Sequence, residues 1–446
     1  MAASLKPVLE LDAGMPMEQF RFTPMKLGDT RGFLAIHSNC DNIDPWPPYF
    51  VMPTDTLKLT AFTEDGRRLW HMDVGPGIVP GIWFCPVMAF DLDGDGVDEV
   101  FLLRNSSPEH PLDATRLTLD RLSGCTGELL DSRPWPKVKD RQPLSHLWRN
   151  FINVAFDKGD PRLITAQGTY GPMHLQCWDR DFHLVWERKI DPEKSSGPLG
   201  SHMFPVLDID GDGRDELFWG DRCIDIDTGQ DIWVADQAGW RGHSDIVQPT
   251  LDLKTGKWLI YTCRESTDPA EARGVVMFDD HGRELWGVRG LGHMHDGWVG
   301  RLCDDGSHLC YAYDASSRKH YCFDTQGRPR ETGFSLEGTL PVDFDGDGLH
   351  ELVYTNGDSR GLVIDRHGRE IARLEGEPAY GARILGLPGE QIVTWPRGKG
   401  GGTIRIYAMP SAADSPAARR RYRHPFYAAC LRIWAVGYNW RNLPGL

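Results

Sequence analysis

The chain has 446 residues and a formal net charge of -15, and 40% of its residues are hydrophobic. This acidic balance argues against a nucleic-acid partner, and an anionic substrate would require a locally basic cleft. The 49 Gly, 31 Pro and 16 Trp are typical of a folded protein with many turns and short strands. The composition therefore excludes the disordered and collagenous classes.

Nothing near the start of the sequence resembles a signal peptide. The segment MAASLKPVLELDAG has neither a basic start nor a long apolar core, and no segment has the length of a membrane span. The sequence as it stands predicts a cytoplasmic protein without membrane association, whereas a trimmed signal would make it secreted or periplasmic. Ten cysteines occur singly, which indicates buried free thiols. We expect a monomer.

One unit of short strands recurs along the chain with a spacing of about 50 residues, which is the period of four-stranded propeller blades. The units begin near Phe20, and the eighth begins near Tyr380. In chain order they close with AFTEDGRRLW, DRLSGCTGELL, CWDRDFHLVW, DIDTGQDIW, MFDDHGRELW, CFDTQGRPR, VIDRHGREI and GTIRIYAM.

These repeats predict an all-β fold, a β-propeller with eight blades of four antiparallel strands. Seven blades are the alternative, because the first and last units lack a clear acidic loop. Helical periodicity is nearly absent. No flexible linker divides the repeats, so we expect residues 1–446 to form one propeller domain, with residues 419–446 as a C-terminal strap packed on it.

Three of the units contain the same acidic loop: DLDGDGVDE, DIDGDGRDE and DFDGDGLHE. Each loop has Asp at its first, third and fifth positions, Gly at the sixth and Glu at the ninth. Such a tight turn directs several carboxylate oxygens inward, as calcium requires. The predicted ligands are Asp91, Asp93, Asp95, Glu99, Asp208, Asp210, Asp212, Glu216, Asp343, Asp345, Asp347 and Glu351.

A second group of residues is expected at the opposite end of the propeller. Because the acidic loops join first strands to second strands, the residues before each first strand meet at the other end, with the loops between second and third strands. This group contains Tyr170, His202, His243, His293, His295, Arg149, Arg222 and Arg264. Each could be an ordinary structural residue, but together they predict a functional site.

The histidine pair His293 and His295 could also bind a metal ion together with His202 or Cys263. The sequence contains no GxSxG motif, no glycine-rich phosphate loop and no HExxH motif. Their absence argues against the classes of hydrolase, nucleotide-binding protein and metalloprotease that these motifs define.

From about Leu57 onward, the chain resembles the rhamnogalacturonan lyases of polysaccharide lyase family 11 and the related ulvan and rhamnose-glucuronate lyases. The resemblance rests on four segments: LTAFTEDGRRLW with VMAFDLDGDGVDEV, SHMFPVLDIDGDGRDELFWG, GHSD, and HPFYAACLRIWAVGYN. It implies a calcium-containing propeller that cleaves a bond at a uronic acid by β-elimination. The segment HMHDGWVG departs from the family 11 pattern, and it favours a uronate-cleaving relative over a family 11 member.

The predicted function is therefore a polysaccharide lyase that acts on a rhamnose- and uronate-containing acidic polysaccharide or oligosaccharide. A base removes the proton at C5 of the uronate, an acid protonates the leaving oxygen, and a cation neutralises the carboxylate. His202 and His243 are the base and acid candidates, with Tyr170 as the alternative for either role. Arg149, Arg222 and Arg264 are candidates for binding the carboxylate.

Two other functional classes remain open. A noncatalytic propeller that binds a sugar or a protein would need no proton-transfer groups. A quinoprotein-type dehydrogenase would share the turn DIDTGQDIW, but it would often carry two adjacent cysteines, which this sequence lacks.

Overall fold

A computed structural model describes residues 3–106, 110–136, 143–237, 239–265, 273–398, 400–433 and 446. Within these ranges the regular secondary structure is mainly β-strand, with three short α-helices. None of the described helices is long and apolar enough to cross a membrane.

The strands, in chain order, have the following bounds. The first sixteen are β1 (Ala3–Ser4), β2 (Leu9–Asp12), β3 (Gln19–Leu27), β4 (Thr30–Ser38), β5 (Leu57–Thr63), β6 (Arg68–Gly75), β7 (Val87–Phe90), β8 (Glu99–Asn105), β9 (Leu117–Ser123), β10 (Leu129–Pro134), β11 (Asn150–Asp157), β12 (Asp160–Gln167), β13 (Met173–Trp178), β14 (Leu184–Ile190), β15 (Val206–Leu207) and β16 (Glu216–Phe218). The others are β17 (Arg222–Asp225), β18 (Asp231–Val234), β19 (Ser244–Asp252), β20 (Lys257–Arg264), β21 (Arg273–Asp279), β22 (Glu284–Arg289), β23 (Met294–Gly300), β24 (Leu309–Asp314), β25 (Lys319–Asp324), β26 (Thr339–Val342), β27 (Glu351–Tyr354), β28 (Leu362–Ile364), β29 (Glu370–Arg373), β30 (Glu377–Ala382), β31 (Gln391–Trp395) and β32 (Thr403–Tyr407).

The helices are α1 (Leu144–Leu147), α2 (Pro416–Tyr422) and α3 (Pro425–Ile433).

The strands form eight antiparallel sheets, so the predicted eight-bladed propeller is confirmed. The first strand of each blade lies at the axis, where β3, β7, β11, β15, β19, β23, β26 and β30 form the inner ring. Inner strands such as β7 are buried along their whole length because neighbouring blades cover both faces. Outer strands such as β6 alternate between exposed and half-buried residues.

A tryptophan at the end of four blades explains the recurring sequence pattern. Trp70, Trp186, Trp233 and Trp286 each donate their indole N–H to a backbone carbonyl in the next blade, at 2.8–3.2 Å. Each ring covers a glycine of that blade's last turn, and an added Cβ there would lie within 3 Å of the ring. These glycines also have positive φ, so the turn requires glycine both for its conformation and for contact with the tryptophan.

The two ends of the chain complete the ring in different ways. The N-terminal strand β2 pairs antiparallel with β32 and forms the outer strand of blade 8, and β1 adds a parallel strand to blade 7. In the described part of the chain, blade 6 has only three strands. The sequence repeats did not reveal either N-terminal strand, because each is too short to show a pattern.

The C-terminal segment is helical, although the sequence showed little helical periodicity. Helices α2 and α3 lie at the end of the propeller that carries the acidic loops, and α3 contacts the inner strands β3, β7, β11 and β15. Ser415 caps α2 by accepting a hydrogen bond from the backbone N–H of Ala418. Residues 434–445 of the predicted strap lie outside the described residues, so the strap as a whole remains a prediction.

Candidate functional site

The candidate site lies at the end of the propeller opposite the acidic loops, where blades 3 to 6 begin. Backbone contacts join these blades at the site. Ser201 bridges Ser244, and Glu265 bridges His293, while the Tyr170 N–H donates to the carbonyl of Leu199 at 3.0 Å. These backbone contacts therefore fix the relative positions of site side chains that come from different blades.

Two carboxylates, the buried Asp245 and the half-buried Glu265, organise the four predicted histidines. Asp245 lies on strand β19, and Glu265 directly follows β20. One ring nitrogen of each histidine lies close to a carboxylate oxygen. The distances from Asp245 are 3.2 Å to His202 Nδ1, 3.1 Å to His243 Nε2 and 3.0 Å to His295 Nδ1; those from Glu265 are 2.6 Å to His243 Nε2 and 3.0 Å to His293 Nδ1.

Tyr170 extends this cluster toward the opening. Its hydroxyl lies 2.9 Å from His202 Nε2, so polar contacts run continuously from Tyr170 through His202 and Asp245 to His295. The backbone of Tyr170 has φ 73°, a conformation that is uncommon for non-glycine residues and is often found at functional sites. The loop thus holds this side chain against the histidine despite the conformational cost.

The surroundings give the histidines different protonation states. Burial holds the pKa of His202 well below its ordinary value, and the opposing charge of Asp245 does not reverse the effect. Burial also disfavours the charged form of His243, but its contacts with Asp245 and Glu265 outweigh that effect and raise its pKa. The pKa of His295 is raised in the same way, chiefly by Asp245. At neutral pH these shifts favour a neutral His202 and protonated His243 and His295.

The accessible surface of the site contains the predicted residues His293 and His295 rather than the base and acid candidates His202 and His243. The side chains of His202 and His243 are only 5% and 6% exposed, whereas those of His293 and His295 are 35% and 34% exposed. His295 also lines a cavity of about 400 Å³ that continues across blades 6, 7 and 1. His202 and His243 therefore lie beneath the surface that a sugar would contact.

Arg149 is the predicted arginine that joins this cluster. Its guanidinium lies 5.2 Å from the centre of the Tyr170 ring and 4.9 Å from that of Trp83. Its Nη2 atom lies 3.5 Å from the Asp44 carboxylate, whereas its Nε and Nη1 atoms are buried without a hydrogen-bond partner among the described residues. Burial raises the pKa of Tyr170 well above its ordinary value, and the charge of Arg149 offsets only part of this effect. Arg149 thus lies where it favours negative charge that develops on the Tyr170 oxygen.

The structure places Arg222 and Arg264 in buried ion pairs instead. Arg222 donates to Asp231 at 2.9 Å, and Arg264 donates to Asp221 and Asp236 at 2.8 and 2.9 Å. The Arg264 side chain has no exposed surface. Both guanidinium groups already have carboxylate partners, so the structure does not bring them together with the histidines as carboxylate-binding groups.

The same cluster could hold a metal ion. Two overlapping groups, His202 with His243 and Asp245, and Asp245 with His293 and His295, each bring three ligand atoms within 4.8 Å of one another. A divalent cation there would act as a Lewis acid for a substrate carboxylate. The predicted partner Cys263 instead packs in an apolar cluster with Val299 and Cys310.

Sequence reasoning did not identify Glu265 or His146. Glu265 follows the predicted Arg264 in a loop between second and third strands, so the same geometric rule could have found it. His146, on α1, lies with its ring 5.6 Å from that of Tyr170. No pattern in the sequence predicted that α1 would reach the site.

The acidic loops join β7 to β8, β15 to β16 and β26 to β27, as predicted. In the first two loops, Asp91, Asp93 and Glu99 and likewise Asp208, Asp210 and Glu216 form groups that could bind a metal ion. These loops lie at the far end of the inner strands from the histidine cluster.

Comparisons with known proteins identify relatives of this chain. The model of the rhamnogalacturonan lyase family 11 C-terminal domain matches residues 148–439. The chain is 24% identical over 425 residues to the rhamnogalacturonan endolyase YesW of Bacillus subtilis, covering 86% of this chain and 66% of the relative. It is 26% identical over 454 residues to the exolyase YesX of the same organism, covering 87% and 69%. The chain thus spans about two thirds of the length of these relatives.

Solved structures show the same fold. The crystal structure of YesX aligns with a TM-score of 0.79 and 18% identity, over 98% of this chain and 81% of that chain. A family 11 rhamnogalacturonan lyase of Bacillus licheniformis aligns with a TM-score of 0.78 and 17% identity, over 100% and 81%.

Proposed function

Because the chain belongs to rhamnogalacturonan lyase family 11, we propose that it cleaves a rhamnose- and uronate-containing polysaccharide or oligosaccharide by β-elimination. The preference for a relative outside this family was wrong, since the family match includes the HMHDGWVG segment on which that preference rested. The observation that carries the proposal is the continuous chain of contacts from Tyr170 through His202 and Asp245 to His295.

In the proposed mechanism, Tyr170 is the base. His202 is neutral and accepts the Tyr170 proton at Nε2 in the same step in which the Tyr170 oxygen removes the proton from C5 of the uronate. Arg149 lies beside the Tyr170 ring and offsets the negative charge that develops on its oxygen. Asp245 positions His202 and stabilises the imidazolium that forms.

His295 is the proposed acid. Its contact with Asp245 through Nδ1 raises its pKa and favours the protonated form, and its side chain borders the cavity. It gives a proton to the leaving oxygen as the C4–O4 bond breaks and the C4=C5 double bond forms. His293, which is partly exposed and held by Glu265, is placed to contact the substrate carboxylate. His243 remains buried and holds Asp245 and Glu265 in position.

This proposal is tested by measuring the ultraviolet absorbance of the unsaturated uronate when the protein is mixed with rhamnogalacturonan. Ulvan and rhamnose-capped glucuronans serve as competing substrates. Absorbance should rise with rhamnogalacturonan, and it should rise about 100-fold or more slowly when the Tyr170→Phe variant replaces the wild type. If no substrate yields the unsaturated product, but one of them binds, a noncatalytic propeller would be the correct function.

We further propose that acidic loops of this pattern are calcium sites that stabilise the fold where no basic side chain already pairs with their carboxylates. The Asp208 loop fits calcium well: Asp208, Asp210 and Glu216 converge within 4.8 Å, and no ion pair joins Asp208, Asp210, Asp212 or Glu216 to a basic side chain in the described part of the chain. Without a cation, these carboxylates repel one another between the first two strands of blade 4.

Removal of calcium should therefore lower the melting temperature. The thermal unfolding curve would be recorded with calcium and again after chelation, with the metal content measured in both samples. The Asp210→Asn variant, which weakens the site, should melt lower in calcium and respond less to chelation. A melting temperature that is unchanged once the calcium is shown to be removed would contradict this proposal.

A further inference from the structure

The three acidic loops have the same sequence pattern, but one position beside them differs. In each of these blades the second strand begins at the loop's glutamate and pairs with the third strand. The position that differs is the third-strand residue paired with the second-strand residue two positions after the glutamate. Arg121 faces Phe101, Cys223 faces Phe218, and Val363 faces Val353. Arg121, Cys223 and Val363 therefore occupy equivalent positions in blades 2, 4 and 7, and only blade 2 has a basic residue there.

Arg121 reaches back into its own loop. Its Nη2 atom contacts carboxylate oxygens of both Asp93 and Glu99, the third and ninth residues of the loop. The arginine side chain is only 13% exposed and that of Glu99 only 5%. A guanidinium that joins two carboxylates in this way supplies charge and hydrogen-bond donors at the point where a metal ion would otherwise join them.

The Asp208 loop shows the contrasting arrangement. Its equivalent carboxylates are Asp210 and Glu216, and the residue on the neighbouring strand is the neutral Cys223. The loop's own arginine, Arg214, turns away and pairs with Asp157 at 2.9 Å and with Asp227 at 3.7 Å. Two loops with the same pattern of carboxylates thus differ in whether the protein itself supplies the cation.

We infer that Arg121 replaces the metal ion in the Asp91 loop, so that this loop does not bind calcium whereas the Asp208 loop does. The inference rests on the proposal that the Asp208 loop binds calcium. Calcium entering the Asp91 loop would lie beside a guanidinium and would have to break a largely buried ion pair, and both effects oppose binding.

The test is the number of calcium ions bound per chain, measured by elemental analysis after equilibrium dialysis against calcium. Arg121→Cys gives the Asp91 loop the same neighbour as the Asp208 loop, and it should bind one more calcium ion than the wild type. Arg121→Gln keeps more of the side-chain volume and should behave in the same way if the cysteine variant does not fold. Asp93→Asn alone should leave the wild-type count unchanged.

Asp210→Asn is the matched variant in the other loop, and it should lower the count by one. If it does not, calcium binding by the Asp208 loop is wrong, and the inference fails with it. If Asp210→Asn lowers the count but both Arg121 variants bind the same amount as the wild type, the inference fails and the calcium proposal stands. A lower count in Asp93→Asn would also overturn the inference, because the Asp91 loop would then hold calcium in the wild type.

Discussion

Replacing Tyr170 by Phe should lower kcat for β-elimination by about 100-fold or more, because general acid–base catalysis contributes about 10²–10⁴. The variant removes only the hydroxyl that lies 2.9 Å from His202 Nε2 and keeps the ring against His243. KM should change little, since the loss acts on the proton transfer rather than on binding. Initial rates of product absorbance over a range of substrate concentrations measure both constants.

Tyr407→Phe is a suitable control for this experiment. It also loses one hydroxyl, which donates to the Glu375 carbonyl at 3.3 Å, but it lies in blade 8 on strand β32. We expect it to keep the wild-type kcat. The assignment of Tyr170 as the base would be wrong if Tyr170→Phe retained wild-type kcat, and His202→Gln would then show whether the histidine acts without it.

Replacing Arg421 by Met should destabilise the folded protein by about 3–5 kcal/mol, the usual cost of removing one partner of a buried ion pair. Arg421, on α2, is 4% exposed and lies 3.0 Å from Glu390 and 3.7 Å from Asp343. Without it, two buried carboxylates lose their cation. The free energy of unfolding, measured by denaturant titration, tests this expectation.

The neighbouring Arg420 provides the control, because it is exposed on the same helix. Arg420→Met should change the free energy of unfolding by less than about 0.5 kcal/mol. Adding Glu390→Gln to Arg421→Met should restore part of the lost stability, since it removes one of the two buried carboxylates that no longer have a cationic partner. Equal stabilities for the two single variants would show that α2 contributes little to holding the propeller together.

The fold was predictable from sequence because each blade needs similar residues at similar positions, and these residues recur along the chain. Each tryptophan such as Trp70 needs a glycine such as Gly127 in the next blade, so the pair recurs and reveals the blade period. The N-terminal strands β1 and β2 have no such signature. Their place in blades 7 and 8 follows from ring closure, which is a property of the whole chain rather than of a local segment.

The candidate site was predictable in position but not in the roles of its residues. The strand order placed Tyr170, His202 and Arg149 at one end correctly, because strand direction alone determines which loops meet. It could not show that His202 is buried under Tyr170. Nor could it show that Arg264 pairs with Asp221, because these contacts depend on side-chain packing between blades.

The N-terminal strands also set the order in which the molecule can be completed during synthesis. Strand β2 spans Leu9–Asp12, but its partner β32 starts only at Thr403. At about 5–20 residues per second, the ribosome needs ~20–80 s to make the intervening chain. For that time β2 has no partner strand, and blade 8 cannot close. The nascent chain must therefore keep these N-terminal residues available for pairing until the other blades have been made.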